Sequence, residues 1–129
     1  MTDVLVDTHS FLWFVEGNPR LSPFPRATIE EVSNTRLLSI ASLWEIAIKL
    51  NTGKLSLRAP FATLIPHQLN RNSIDILNAS FQHITLIATL PLRHRDPFDR
   101  MLIAQAMVED IPILSADKAF DDYEVERIW

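Results

Sequence analysis

The sequence predicts an α/β protein with a central parallel sheet of four to five strands flanked by helices. Short apolar runs alternate with longer segments whose apolar residues recur at helical spacing, a pattern typical of βα units. The first run, Val4-Leu5-Val6, has no polar position, as expected of a strand buried on both faces. The 129 residues contain no repeat or linker, so we interpret 1–129 as one domain.

Helices are predicted where apolar residues recur every three or four positions and a stop signal follows. Gly17 ends the first helix, and Pro66 is expected to interrupt the fourth because proline lacks a backbone donor. Asn78 is interpreted as the cap of a short helix, and Pro97 suits the first position of the longest one. The predicted helices cover residues 8–16, 25–34, 42–51, 60–70, 78–83 and 97–110.

Strands are predicted from the short apolar runs that remain between these helices. In a parallel sheet the carboxyl ends of all strands share one edge, and residues that follow the strands meet there. The predicted strands cover residues 4–6, 36–40, 73–77, 111–115 and 125–128.

The composition narrows the classes of function. Hydrophobic residues make up 47% of the chain, which is enough for a buried core. The absence of cysteine excludes disulfides, zinc–thiolate sites and thiol nucleophiles, and favours a reducing compartment. No secretory signal and no apolar run of membrane-spanning length is present, so we expect a cytoplasmic protein with no membrane partner.

The net charge of −4 does not by itself favour a nucleic-acid binder. That excess of acid, 16 acidic against 12 basic residues, equals the four candidate site acids described next. Basic residues also cluster around two of those acids, and the sequence leaves open whether they are solvated surface charges or contacts for an anionic ligand. The clustered residues are Lys49, Lys54, Arg58, Arg93, His94, Arg95 and Arg100.

Four acidic residues stand where predicted strands end or predicted helices begin. Asp7 and Asp117 follow strands, whereas Glu45 and Asp99 are predicted in the first turns of helices. Carboxylates that converge on one spot repel each other unless a divalent cation lies between them. Oxygen ligands of this kind suit Mg²⁺ or Mn²⁺, so these four residues are the candidate catalytic and metal-binding set.

Each acid also has a purely structural interpretation. Asp7 and Asp117 can act as turn formers or helix caps, and Ser42-x-x-Glu45 has the spacing of a capping box. Asp99 follows Asp96 by three residues and can belong to a cap as well. Asp99 nevertheless shares its predicted helix face with apolar residues, which favours a functional role at the top of the core. Those residues are Leu102, Ile103, Ala106 and Met107.

Three hydroxyls, those of Thr8, Ser42 and Ser115, lie close in sequence to the acids. They could orient a water or a phosphate, although helix capping or hydrogen bonding at a strand end is the alternative for each. The four histidines show no paired spacing of the zinc type, and only two glycines are present, which excludes nucleotide-cradling loops.

Several segments together resemble the PIN-domain ribonucleases and, among them, the VapC-like toxins of toxin–antitoxin pairs. The resemblance implies a compact α/β/α domain and a metal-dependent endoribonuclease whose acids correspond to Asp7, Glu45, Asp99 and Asp117. It also implies a homodimer and a cognate antitoxin that covers the acidic cleft. The segments that carry it are residues 5–13, 39–49, 53–55, 94–106 and 115–117.

The mechanism that the resemblance implies is hydrolysis of an RNA phosphodiester that leaves a 5′-phosphate and a 3′-hydroxyl. Asp7 and Asp99 would bind Mg²⁺ or Mn²⁺ directly, and Asp117 directly or through water. Glu45 would bind the ion directly or through water, or would orient the attacking hydroxide. Asp96 is interpreted as a helix cap rather than a further ligand.

Basic and aromatic residues near the acids are the candidate RNA contacts. The basic candidates for the RNA backbone are Lys49, Lys54, Arg95 and Arg100. Trp13, Trp44 and Phe98 could stack on bases, but each falls on an apolar helical face, which favours core or dimer contacts.

Two other functions compete with this interpretation. Phosphohydrolases and receiver domains also carry acids at strand ends, but an Asp-x-Asp phosphatase needs an acid where this chain has His9. A receiver needs a lysine after a late strand, where Lys118 is only adjacent to Asp117. The second alternative is a non-catalytic interaction module whose acids cap helices.

Overall fold

The computed structural model describes residues 2–129, which form a five-stranded parallel sheet between layers of helices. The strands are β1 (Asp3–Val6), β2 (Thr35–Ser39), β3 (Asp75–Leu77), β4 (Ile113–Leu114) and β5 (Arg127–Ile128). The helices are α1 (Thr8–Glu16), α2 (Pro23–Glu30), α3 (Ile40–Asn51), α4 (Phe61–Asn72), α5 (Phe81–Ile87) and α6 (Pro97–Glu109), with a 3-10 helix at Lys118–Asp122. The strand order is β3-β2-β1-β4-β5, and every pair is parallel. The predicted fold class is confirmed.

The central strand β1 is buried on both faces because its side chains alternate between two apolar cores. Val4 and Val6 pack into one cluster with residues of α1, α2, α3 and α4. Leu5 packs on the opposite side, in a cluster that includes Leu102 and Ile103 of α6. This alternation explains why the buried part of the strand, residues 4–6, contains no polar position.

Helix α3 begins two residues earlier than the sequence predicted. Ser39 is its N-cap and accepts a hydrogen bond from the backbone N–H of Ala41 at 3.0 Å. Ser42 is therefore inside the helix and buried, and Glu45 lies in the second turn. The prediction of a Ser42–Glu45 capping box, and of Glu45 in the first turn, is wrong.

Two other helices differ from the predicted pattern. Helix α4 runs without a break through Pro66. Proline removes the hydrogen bond to the carbonyl of Ala62, but both residues are exposed, so water can solvate that carbonyl. Helix α5 is capped by Ser80 rather than Asn78, because the Ser80 hydroxyl and the His83 ring form a reciprocal capping box at 3.2 and 3.0 Å.

The chain topology brings the ends of β1, β2 and β4 to one edge of the sheet, here called the carboxyl edge. Asp7, Ser39 and Ser115 directly follow these three strands or close them. Helix α6 begins near the same edge, with Asp96 as its N-cap, as predicted. Within residues 2–129, the helices are too short and too polar to cross a bilayer.

Candidate active site and metal centre

Asp7 lies directly after β1 and is buried, with only 5% of its surface exposed. One carboxylate oxygen, Oδ1, accepts the backbone N–H of Ser10 at 2.8 Å and caps helix α1. The other, Oδ2, accepts the hydroxyl of Ser115 at 2.6 Å. Burial raises the pKa of Asp7, and the hydrogen bonds from Ser10 and Ser115 oppose that rise. Asp7 therefore caps helix α1, as the structural interpretation predicted, and also lies at the carboxyl edge.

Ser115 connects Asp7 to Asp117 across two strands. Its hydroxyl donates to Asp7 and accepts the backbone N–H of Asp117 at 3.0 Å. Asp117 is exposed, and its Oδ1 caps the 3-10 helix by accepting the N–H of Ala119 at 2.9 Å. The Ser115 hydroxyl thus contacts the side chain of Asp7 and the backbone of Asp117.

Asp99 lies in the first turn of α6, where its side chain is 22% exposed. Its Oδ2 is 2.7 Å from Nε2 of His94. Burial raises the pKa of Asp99 to about 6, and the nearby carboxylates of Asp96 and Glu45 add to the rise while His94 opposes it. A carboxyl group whose pKa is raised by burial and by neighbouring carboxylates is a candidate for a functional site.

Three donors converge at this place. One ligand atom each from His94, Asp99 and Asp117 lies within 4.8 Å of the other two. The two carboxylates, at the edge where carboxylates already disfavour each other's ionisation, fit a divalent cation such as Mn²⁺ or Mg²⁺, and the imidazole beside them hydrogen-bonds Asp99. Of the predicted acids, Asp99 and Asp117 belong to this group, and Asp7 is tied to Asp117 through Ser115.

His94 is the site residue that sequence reasoning missed. The histidines were judged by the paired spacing of zinc sites, whereas His94 meets acids from elsewhere in the chain. Its position five residues before Asp99, just ahead of the α6 cap, was the available signal.

Glu45 is buried on α3 and paired with a base. Its Oε2 accepts the Nζ of Lys49 at 2.8 Å, one helical turn away. The Glu45 side chain is only 6% exposed, whereas that of Lys49 is 37% exposed. Because its carboxylate acts on the pKa of Asp99, Glu45 lies within electrostatic reach of the three-donor group.

The other two hydroxyl candidates hydrogen-bond each other. Thr8 Oγ1 donates to Ser42 Oγ at 2.8 Å, and both residues are buried. This bond joins the first turn of α1 to α3. It is a structural hydrogen bond, which favours a structural role for both hydroxyls over the orientation of a water or a phosphate.

The basic residues predicted to contact RNA differ in exposure and in whether protein groups already occupy their charged ends. Lys54 and Arg95 are exposed, and Lys49 holds Glu45. Arg100 is half-buried, and its guanidinium donates to the carbonyls of Leu90, Pro91 and His94.

The aromatic candidates separate into two places. Trp13 packs against the apolar core and meets the ring of Trp129 at a centroid distance of 6.1 Å. Trp44 is 64% exposed and packs edge-on against Phe98 at 5.2 Å, so of the two predicted alternatives, a core contact or a dimer contact, the core contact does not apply to Trp44. Trp44 and Phe98 line an apolar groove between α3, α5 and α6.

Known proteins resemble this chain in sequence and in fold. Ribonuclease VapC16 of Mycobacterium tuberculosis (strain ATCC 25618 / H37Rv) is 40% identical over 58 residues, which span 45% of this chain and 41% of that protein. The crystal structure of VapBC2 from Rickettsia felis bound to a DNA fragment from their promoter contains a chain with the same fold. The TM-score is 0.73 at 13% identity, over 98% of this chain and 97% of that one. Residues 4–126 match the PIN domain, and the chain therefore belongs to the PIN domain family.

Proposed function

We propose that this protein is a metal-dependent endoribonuclease that hydrolyses RNA phosphodiester bonds as the toxin of a toxin–antitoxin pair. The observation that carries the proposal is the convergence of His94, Asp99 and Asp117 beside buried Asp7 in a PIN domain. The stretch that is 40% identical to a protein named as a ribonuclease supports the RNA substrate.

Asp7, Asp99 and Asp117 are the residues that would hold Mg²⁺ or Mn²⁺. When bound, the ion lowers the pKa of a coordinated water and neutralises charge on the phosphate. Glu45 accepts a hydrogen bond from the attacking water and orients it, while Lys49 holds the Glu45 carboxylate in place. Cleavage on this scheme leaves a 5′-phosphate and a 3′-hydroxyl.

The exposed bases Lys54 and Arg95, together with Lys49, are proposed to bind the RNA backbone. Such contacts weaken with salt because phosphate binding releases counterions. The predicted role of Arg100 in RNA binding is less well supported, since its guanidinium is already occupied by three carbonyls.

RNA cleavage is expected to stop when the purified protein is treated with EDTA and to return when Mn²⁺ or Mg²⁺ is added in excess. In the absence of RNA, Mn²⁺ at about 100 times its Kd should stabilise the fold by about 2.7 kcal/mol. Gel assays of a labelled RNA and thermal melts measure the two effects. The Asp121→Asn variant should behave like the wild type in both assays, because Asp121 is an exposed acid paired with Arg127 and lies outside the proposed site.

Cleavage that persists in EDTA would refute the metal dependence. A protein that neither cleaves RNA nor responds to Mn²⁺ would instead support the non-catalytic interaction module. Hydrolysis of a small phosphomonoester without RNA cleavage would support the phosphohydrolase alternative.

The apolar groove between α3, α5 and α6 is proposed as the face of a homodimer. Three large apolar side chains that line the groove, Ile40, Trp44 and Ile84, are exposed, and contiguous exposed apolar residues are typical of protein–protein contact surfaces. Trp44→Glu is expected to shift the protein from dimer to monomer in sedimentation equilibrium. Phe24→Glu, at an exposed phenylalanine on α2, should leave the dimer intact. A wild-type monomer would contradict this proposal.

The proposed toxin is expected in the cytoplasm. Its proposed partner is a cognate antitoxin. Controlled expression without the antitoxin should arrest growth and produce new RNA 5′ ends, and co-expression of the antitoxin should remove both. Sequencing of those RNA ends identifies the target. Growth arrest without new RNA ends would count against an RNA substrate.

A further inference from the structure

The hydroxyl of Tyr123 organises a segment that contains neither helix nor strand. Tyr123 follows the 3-10 helix and is buried, with 8% exposure. Its hydroxyl donates to the carbonyl of Pro91 at 2.8 Å and accepts the backbone N–H groups of Arg93 and His94 at 3.0 and 2.8 Å. Arg100 also donates to this hydroxyl, through Nη1 at 3.4 Å, so the hydrogen and both lone pairs of the hydroxyl are engaged.

Arg100 supports the same segment from α6. Its guanidinium donates to the carbonyls of Leu90 and Pro91, each at 3.1 Å, and to that of His94 at 3.3 Å. Residues 90–94 are therefore held by two side chains, which also contact each other at 3.4 Å, in addition to the backbone hydrogen bond from Arg93 N–H to the Pro91 carbonyl at 3.0 Å. Arg100 directly follows Asp99, so this support originates next to the site.

His94 is the point at which this support reaches the three-donor group. Its backbone N–H is fixed by Tyr123, its carbonyl by Arg100, and its ring Nε2 lies 2.7 Å from Oδ2 of Asp99. Within residues 2–129, the other oxygen of Asp99, Oδ1, has no hydrogen-bond donor. The imidazole thus occupies one carboxylate oxygen and leaves the other available to a cation.

We propose that Tyr123 is a positioning residue, which acts through His94 to hold the Asp99 carboxylate in the orientation that binds a divalent cation. This inference rests on the proposed function, in which His94 already takes part, and adds Tyr123 to its site. The Tyr123 hydroxyl contacts both His94 and, at 3.4 Å, Arg100, and the double-mutant cycle below separates the route through the His94 ring from the route through Arg100.

A double-mutant cycle on Mn²⁺ affinity tests the proposal in the absence of RNA. Tyr123→Phe keeps the ring in the core, and His94→Ala removes the imidazole. Each single variant is expected to weaken Mn²⁺ binding by about 10-fold, in line with other residues that orient metal ligands. The double variant should bind as weakly as His94→Ala alone, because the Tyr123 hydroxyl then has no ring left to position.

Thermal unfolding separates the positioning role of Tyr123 from a merely structural role. A positioning role predicts a loss of Mn²⁺ affinity that depends on His94, together with a loss of Tm that does not. Tyr123→Phe should lower the Tm in both the wild-type and the His94→Ala backgrounds, since the backbone N–H of residue 94 loses its acceptor in both and the Pro91 carbonyl loses one of its donors. Asn72→Ala, which removes a hydrogen bond to Gln68 on α4, is the control for lost stability and should not change Mn²⁺ affinity. At saturating Mn²⁺, Tyr123→Phe should regain kcat with an unchanged KM for RNA.

His94→Gln separates a hydrogen-bond donor from a metal ligand. The glutamine amide can donate to Asp99 as the imidazole does, so Mn²⁺ affinity within about 3-fold of wild type is expected. Affinity as low as that of His94→Ala would mean that the ring itself binds the ion, and it would overturn the proposal. Equal losses from Tyr123→Phe in both backgrounds, or no loss at all, would overturn it too.

The cycle also distinguishes this inference from the proposed function. If the wild-type protein binds no Mn²⁺ and cleaves no RNA, the proposed function fails and the inference fails with it. If the wild-type protein binds Mn²⁺ and cleaves RNA but the two substitutions act additively, only the positioning role of Tyr123 is refuted.

Discussion

Asp99→Asn is expected to lower the rate of RNA cleavage by at least about 10³-fold while the protein stays folded. The substitution keeps the shape of the side chain and an oxygen that can accept the His94 hydrogen bond, but it removes the charge that a divalent ion requires. Single-turnover cleavage of a labelled RNA, with Mn²⁺ in excess, measures the loss. Residual activity above about one tenth of wild type would remove Asp99 from the catalytic set.

The same variant should be more stable than the wild type at neutral pH when no metal is present. The pKa of Asp99 is about 6 in the fold and 3.8 in the reference state, so the folded protein binds the proton more tightly. Such a group favours folding most fully below about pH 4, and this contribution is lost as the pH rises through about 6. Asparagine cannot ionise, so the Asp99→Asn variant does not lose stability as the pH rises through this range.

Thermal melts in EDTA between pH 4 and 8 test this linkage. The Tm of Asp99→Asn minus that of the wild type should increase between about pH 4 and 7 and then level off, by about 3–5 °C. Asp121→Asn is the control: the Arg127 guanidinium lowers the pKa of Asp121, so the removal of that charge should not stabilise the fold. A Tm difference that does not change with pH would show that ionised Asp99 carries no cost in the folded protein.

Asp7→Asn and Asp7→Ala should both abolish RNA cleavage, but they should differ in stability. Asparagine keeps an oxygen that can cap α1 at the N–H of Ser10, and it relieves the burial of a charge. Alanine removes the cap and leaves two buried donors, Ser10 N–H and the Ser115 hydroxyl, without an acceptor. We expect alanine to cost about 1–3 kcal/mol and asparagine to be neutral or stabilising.

Urea unfolding of both Asp7 variants, paired with the RNA assay, separates catalytic loss from unfolding. An inactive Asp7→Asn protein with wild-type stability would place Asp7 in the chemistry. Retained activity in either folded variant would restrict Asp7 to its role as a helix cap.

The acids were recognisable in the sequence because each stands at the end of a predictable element. Asp7 follows an apolar strand, and Asp99 sits three residues after a cap on the most regular helix. Glu45 was found, but its setting was misjudged, since Ser39 and not Ser42 caps α3. Caps that compete within four residues are decided by which hydroxyl finds a tertiary partner, and Ser42 bonds Thr8.

His94 and Tyr123 could not be recognised in this way. His94 stands five residues before Asp99, which was a local signal that the zinc-type spacing test did not use, whereas the contact between His94 and Tyr123 joins residues about 30 apart in the chain. The apolar spacing of Trp44 left a core contact and a dimer contact open, and the structure excludes the core contact because the groove that Trp44 lines lies open on the surface.

The sequence by itself determined the order of strands and helices, the parallel sheet and the four acids, because periodicity and punctuation are local properties of the chain. Only the tertiary structure decided which donors meet. Ser115 ties Asp7 to Asp117, and Tyr123 holds His94 against Asp99, through hydrogen bonds that form only once distant segments are packed. Packing distances of a few ångströms, and not residue types, define this candidate metal site.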